Sequence, residues 1–239
     1  MKLQLNEQYP IIKQFQKKEK GKIFIAYNKS ENNLNHEIVL VKTYKKCYPF
    51  YFMKIDDKVT KVPRELYFNN LIDNKNISPI IIDVFERKNE VIIVMEYLTK
   101  QWIDLHSFTR TPRSEAMIKK IFINTVNAVL ILSNLGIYHM DMKPENIMVD
   151  RNSLKIKIID FEDALYDANS YLPSYNEIVG TEGFIAPELY GDKEFDVKKQ
   201  IIYSLGCLLF ACIESKAPNA LKKSFEYKKS SKAAKEFIE

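Results

Sequence analysis

Asp141, Lys143, Asn146 and Asp160 are the residues whose types and spacing point most directly to chemistry. The first three fall within HMDMKPEN (139–146), and Asp160 follows the short apolar run IKII at 156–159. With IMV at 147–149 as a second short strand, two adjacent strand ends would bring three oxygen-bearing side chains and one ammonium together. Such a cluster repels itself unless a cation or a phosphate sits among its members. The hard oxygens of Asn146 and Asp160 suit Mg²⁺, which keeps waters and bridges to substrate phosphates. Taken singly, His139 reads as a packing or capping residue and Asp141 as turn chemistry before Pro144. The spacing is what points to phosphoryl transfer.

These residues need a scaffold, and the apolar pattern outlines one. The 239 residues, 46% hydrophobic and 28% charged, have an ordinary globular composition and are enough for one large core or two smaller lobes. KIFIAYN (22–28) and EIVLVKTY (37–44) read as an antiparallel pair linked by the polar SENNLN (30–35), followed by an irregular stretch rich in lysine and aromatic residues. VPRELYFNNLI (62–72) has Pro63 near a helix start, then SPIIIDVFER and EVIIVMEYL restore strand character. From Ser114 to Gly136 the pattern is a long amphipathic helix with a Ser cap and an acidic first turn. After the strands at 147–149 and 156–159, the spacing predicts a loop to about residue 186 and a buried helix at 201–213. The lysine-rich stretch at 221–235 reads as a solvated or frayed helix.

The bulk numbers narrow the function. Three cysteines without CxxC spacing indicate neither a disulfide framework nor a zinc site, so a reducing, cytoplasmic setting is expected. The N-terminus lacks the apolar core of a signal peptide, and the run at 201–213 is too short to span a bilayer. A net charge of +5, spread along the chain, favours anionic small ligands over nucleic acid. Neither a nucleic-acid nor a membrane partner is expected, and oligomeric state is open.

HMDMKPEN is similar to the catalytic-loop pattern H-R-D-x-K-x-x-N, and DFE at 160–162 is similar to D-F-G. VLVK (39–42) resembles the V-A-I-K strand, MEYL (95–98) the hinge that binds adenine through its backbone, and GTEGFIAPE (180–188) the end of an activation segment. In this order and at these spacings, the sequence resembles a eukaryotic-type protein kinase of the serine/threonine branch, divergent and with a short C-terminal lobe. Residues 92–165 have the look of the calmodulin-dependent-kinase-like group.

The resemblance implies a two-lobe α+β fold. An N-terminal lobe at 1–98 would hold an antiparallel sheet with one helix, a mostly helical lobe would follow at 99–239, and ATP with Mg²⁺ would lie in the cleft between them. Asp141 would orient the acceptor hydroxyl and take its proton, Lys143 would neutralise charge on the transferred group, and Asn146 and Asp160 would hold Mg²⁺. An ion pair between Lys42 and Glu65 would place the α- and β-phosphates. Gly21, Ile23, Leu40, Met95, Glu96, Leu98 and Met148 are the implied nucleotide contacts, although Ile23, Leu40, Met95 and Met148 read equally as core. Thr181 and Glu188 are implied in the activation segment, and Lys143 with Thr181 implies a protein substrate with a Ser or Thr acceptor. Asp104 reads as a ribose or basic-peptide contact, or as a helix N-cap.

Departures from the pattern predict how far the activity extends. QKKEKGKI stands where G-x-G-x-x-G is expected, so Gln16 and Lys18 replace glycines and only Gly21 is kept, with Lys17, Lys18 and Lys20 nearby. Leu40 replaces a small alanine and would crowd the purine, so weak nucleotide affinity is expected. Glu162 replaces the Gly of D-F-G, which predicts strain if that position needs φ > 0. Met140 replaces the Arg of H-R-D, Ile201 a bracing Asp, and Asn69 an apolar residue behind Glu65; no arginine follows Arg151 to pair with Glu188. These departures leave two rival readings, a pseudokinase acting as a binding scaffold and a small-molecule kinase of the same architecture. An open docking shelf or a closed acceptor pocket at 163–188 would separate the last from a protein kinase.

Overall fold

The computed structural model describes residues 5–17, 21–29, 37–46, 50–55, 58–166, 179–190, 196–218 and 226–238. Lys18 and Lys20, the link at 30–36, Cys47, residues 167–178 of the expected loop and residues 221–225 of the basic stretch lie outside them. The chain divides into two compact units, Met1–Thr99 and Lys100–Glu239.

The first unit runs α1 (Leu5–Gln8), β1 (Ile11–Lys17), β2 (Gly21–Tyr27), β3 (Ile38–Lys45), β4 (Phe50–Ile55), β5 (Lys58–Pro63), α2 (Arg64–Leu71), β6 (Ile81–Glu86) and β7 (Glu90–Glu96). Five strands form one antiparallel sheet in the order β1-β2-β3-β7-β6. Period-two alternation along β3 divides its side chains between two faces. Val39 and Val41 join Ala26, Ile92, Val94 and Tyr9 in one core, where the Tyr9 hydroxyl donates to Asp83 and its ring meets Phe85 edge-on. On the other face Tyr44 and Ile93 pack with Val62 and Leu66. Each fully buried Val, Leu or Ile contributes about 1.5–3 kcal/mol relative to exposure.

Three strands of this unit were invisible to the apolar pattern. The stretch expected to be irregular contains the β4–β5 hairpin, paired from Phe50↔Pro63 to Ile55↔Lys58. KVTKVP spaces its valines three apart, so the alternation that marks a strand is missing. In β1, register shifts between Ile11 and Lys13 and between Gln14 and Gln16 break the period. Helix α2 follows Pro63 and buries Glu65, Leu66, Phe68 and Asn69, so half of its buried residues are polar.

The second unit runs β8 (Trp102–Asp104), α3 (Leu105–Thr109), α4 (Glu115–Asn134), β9 (Ile137–Tyr138), β10 (Ile147–Asp150), β11 (Ile156–Ile158), β12 (Leu165–Tyr166), α5 (Val197–Glu214) and α6 (Lys232–Ile238). Ser114 caps α4, accepting from the Met117 N–H at 3.3 Å, and Glu115 in the first turn complements the helix dipole. A buried stripe of Ile118, Ile121, Phe122, Thr125, Ala128, Val129 and Leu132 follows at helical spacing. Among the described residues α4 is the one helix long and apolar enough to cross a bilayer, a test that the core helix of a globular unit also passes.

Helix α5 starts four residues before the expected 201, because the Asp196 carboxylate caps the N–H groups of Lys198 and Lys199. At its other end the Glu214 carboxylate accepts the backbone N–H groups of Lys228, Lys229 and Ser230 and the Ser230 hydroxyl. Burial alone would raise this carboxyl. The Ser230 hydroxyl and the three N–H groups outweigh it and hold the pKa at about 2. Asp104 is the N-cap of α3, accepting from the Ser107 N–H at 2.8 Å, which supports the capping alternative for that residue.

Candidate active site

The loop from His139 to Lys143 leaves β9, a 3-10 turn at Pro144–Asn146 closes it, and β10 carries the chain away. Pro144 enters that turn at its first position, where the missing N–H goes unneeded. Asp141 is only 8% exposed, and its carboxylate is held on both oxygens. Oδ2 accepts from Lys143 Nζ at 2.6 Å and from Asn146 Nδ2 at 2.9 Å, while Oδ1 accepts the Thr181 hydroxyl at 2.6 Å. A carboxylate has about four lone-pair sites. The three donors therefore fix its orientation and leave one acceptor site, on Oδ1.

The partners are themselves tied. Lys143 Nζ also donates to Thr181 Oγ1 at 2.6 Å, and Asn146 Nδ2 donates to the Asp141 carbonyl at 2.8 Å. Both N–H bonds of Asn146 are thus committed to Asp141, and its amide oxygen is the atom with ligand capacity. Ile147↔Ile158 pairing and the Ile159 N–H to Asn146 C=O bond of 3.0 Å set Asn146 and Asp160 at neighbouring strand ends. An amide oxygen and a carboxylate there are hard donors that fit Mg²⁺.

His139 links these two strands. Its Nδ1 accepts the Asp141 N–H at 3.4 Å, so Nε2 carries the proton and donates it to the Ile159 carbonyl at 3.0 Å. Burial lowers its pKa against the opposing bond to Ile159, which keeps the imidazole neutral. Its ring lies 4.9 Å from Phe161, edge to face.

The strain predicted at Glu162 is not there. Positive φ falls two residues earlier, on Asp160 at 67°, and Glu162 takes a right-handed 3-10 turn at Phe161–Asp163. Aspartate tolerates the left-handed region better than most residues, so this turn needs no glycine. Met140 is also left-handed, with φ 64°, and is buried where a charged residue was expected.

Gly180 accounts for the position of Thr181. With φ +123°, it sits where an added Cβ would lie 3.0 Å from the Met140 carbonyl and 3.1 Å from Ile185 Cγ1. Only glycine lets the segment approach the loop closely enough to set the Thr181 hydroxyl on Asp141. Sequence reasoning missed Gln200, which is 1% exposed on α5. Its Oε1 accepts the Ala186 N–H at 2.7 Å and its Nε2 donates to the Phe184 carbonyl at 3.0 Å. It braces the activation-segment end from the position next to buried Ile201. Glu188 is half-buried in a 3-10 turn at Pro187–Tyr190, with no ion pair among the described residues. Residues 167–178 of the segment that would separate a docking shelf from a closed pocket lie outside the description.

In the first unit, Lys42 on β3 and Glu65 on α2 form a buried ion pair with Nζ 2.6 Å from Oε1 and 2.8 Å from Oε2. Cross-strand pairing aligns Ile23, Lys42 and Ile93, and next to them Ile25, Leu40 and Met95. Ile23 and Met95 are buried and Leu40 is half-buried. Gly21 is required by the sheet, since a Cβ there would fall 1.6 Å from the Thr43 carbonyl. Glu96 exchanges bonds with Ile80 through its N–H and its Oε2, and half-buried Leu98 lies past the end of β7. Gln16 is exposed on β1, and Met148 pairs with Asp104 in the second unit. Asn69 donates to the Glu65 carbonyl at 2.8 Å, while its Oδ1 is buried without a hydrogen-bond partner among the described residues.

A family model for the protein kinase domain matches residues 18–238. CBL-interacting protein kinase 15 of Oryza sativa subsp. japonica is 29% identical over 159 residues, covering 66% of this chain and 36% of its own. CBL-interacting serine/threonine-protein kinase 19 of Arabidopsis thaliana is 28% identical over 161 residues, 67% of this chain and 33% of its own. CBL-interacting protein kinase 28 of Oryza sativa subsp. japonica is 26% identical over 221 residues, 90% of this chain and 47% of its own. The chain thus spans between a third and a half of the length of these relatives.

Proposed function

The chain belongs to the protein kinase family, and from that premise we propose that it transfers the γ-phosphoryl group of Mg-ATP to serine or threonine hydroxyls of protein substrates. The observation that carries this reading is the Asp141 carboxylate, locked by Lys143, Asn146 and Thr181 with one acceptor site left. That site receives the acceptor O–H, so the hydroxyl oxygen is aimed and relieved of its proton as it bonds to the γ-phosphorus. The bond from that phosphorus to the bridging oxygen breaks, and ADP leaves. A positioned base of this kind contributes roughly 10²- to 10⁴-fold.

Lys143 sits 2.6 Å from both Asp141 and Thr181, close enough to offset negative charge on the transferred group. Asn146 and Asp160 are the residues that would hold Mg²⁺, which when bound neutralises the phosphates and orients them in line. Lys42, held by Glu65, is the cation assigned to the α- and β-phosphates. Ile23, Leu40 and Met95 of the first unit are assigned to the adenine, along with the backbone that follows Met95 through Leu98. Leu40 and the missing glycines at 16 and 18 make nucleotide binding weak.

A reducing, cytoplasmic setting accords with Cys207 and Cys212, which are free and buried; burial pushes the Cys207 thiol up to about 12. Such thiols are inert rather than reactive.

Melting of the wild type and of Asp160→Ala with ATP alone and with ATP plus Mg²⁺ tests the metal assignment. A Mg-dependent rise in Tm is expected in the wild type and not in the variant, because a ligand that binds the native state stabilises it by mass action. No rise at millimolar nucleotide would favour the scaffold reading.

A further inference from the structure

We propose that Tyr44 is a positioning residue for this reaction, a second tether on Glu65 that acts beside Lys42; the proposal rests on the phosphoryl-transfer reading above. Lys42 and Tyr44 are two residues apart on β3 and so face the same side of the sheet, about 7 Å apart along the strand. Glu65 reaches both from α2. Its two oxygens accept from Lys42 Nζ, and Oε2 also accepts the Tyr44 hydroxyl. Lys42, Tyr44 and Glu65 are 8%, 6% and 2% exposed, so water does not compete for these bonds.

The ring and the hydroxyl of Tyr44 do separable work. The ring packs with Val62, Leu66 and Ile93, a role that phenylalanine would fill. A buried hydroxyl has to find an acceptor, and this one has found the carboxylate that places the phosphate-contacting lysine. Its effect follows from a conflict at Lys42, whose ammonium serves Glu65 and, when nucleotide binds, the phosphates as well. With Lys42 as the sole donor, each turn of the ammonium toward phosphate would weaken the hold on a buried carboxylate and on the helix that carries it. Tyr44 keeps a donor on Oε2 throughout. The position of α2 is then less dependent on where Lys42 points, and the amide of Asn69 on the Glu65 carbonyl steadies the same helical turn.

A double-mutant cycle tests this, with kcat, the KM for ATP and Tm measured for wild type, Tyr44→Phe, Glu65→Gln and the double variant. Tyr44→Phe is expected to lower kcat about tenfold, as for loss of a hydrogen bond to a charged group, with KM changed less than about twofold because Tyr44 touches Glu65 and not the nucleotide. In the Glu65→Gln background the same change should lower kcat by less than about twofold. Wild-type kcat in Tyr44→Phe would overturn the proposal, and so would an equal loss in both backgrounds, which would mark packing alone. A Tyr44→Phe chain that does not fold would assign the hydroxyl a structural role and overturn it too. A wild type that transfers no phosphate while melting normally would instead overturn the parent reading, and the tether with it.

Discussion

The Asp141 cluster of the second unit and the surroundings of the Lys42–Glu65 pair in the first differ in how completely their polar groups are used. Around Asp141 every member of the cluster is bonded to another, and the supporting segment is fixed to backbone by Gln200 and admitted by Gly180. On the first unit's sheet and helix, the Lys42–Glu65 pair is complete, yet Asn69 buries an oxygen without a hydrogen-bond partner among the described residues, and the sequence lacks the glycines of the family pattern at positions 16 and 18. The departures from the family pattern fall in both units, yet those in the second, Met140, Glu162 and Ile201 among them, leave the bonds on Asp141 complete. Loss of tight nucleotide binding and loss of transfer are separate physical events, and the proposed reading expects only the first in this chain.

That contrast can be broken most strongly at the far end of the second unit. Glu214→Gln removes a carboxylate whose pKa is held at about 2, against an ordinary 4.5, by the Ser230 hydroxyl and the three N–H groups that overcome its burial. A carboxyl depressed on folding stabilises above its unfolded pKa and loses that contribution as pH falls through the folded one. The variant should be less stable by about 3 kcal/mol at pH 7. The difference should close between pH 4.5 and 2, as read by denaturant titration across that range. An undiminished difference at the acid end would show that the charge is not what holds residues 228–230.

Gly180→Ala should come next. A side chain at φ +123° and 3.0 Å from the Met140 carbonyl is expected to lower stability by about 2 kcal/mol and to reduce transfer at least about tenfold by displacing Thr181. Unchanged kcat would detach Thr181 from the reaction.

The smallest effect sharpens the other side. Asn69→Leu deletes a buried unpaired acceptor, worth roughly 1–3 kcal/mol, along with one weaker bond to the Glu65 carbonyl. A net gain of about 1 kcal/mol is expected, measured as a rise in Tm. A loss would show that the amide, and not an apolar residue, suits that turn of α2.

What could be read from sequence follows from the range of each interaction. Asp141, Lys143 and Asn146 are neighbours in the chain, and their chemistry shows in the spacing. Lys42 and Glu65 were legible only through the family resemblance, Lys42 as the end of VLVK and Glu65 as its partner on the helix that follows Pro63. Gln200 and Glu214 bond to backbone 14–16 residues away, contacts that leave no trace in a local pattern. The Tyr44 hydroxyl was equally hidden, since a tyrosine in a strand reads as an apolar ring. Glu162 misled because the replaced glycine implied a backbone geometry that Asp160 adopts instead.

The most direct test of the central claim is phosphate incorporation on a panel of Ser- and Thr-containing proteins with Mg-ATP, comparing wild type with Asp141→Asn and reading acceptor sites by mass spectrometry. Phosphoserine or phosphothreonine with the wild type, absent with a variant of unchanged Tm, is the expected result. Equal incorporation by Asp141→Asn would remove the base from the mechanism, and none by a folded, nucleotide-bound wild type would contradict the assignment of transfer itself.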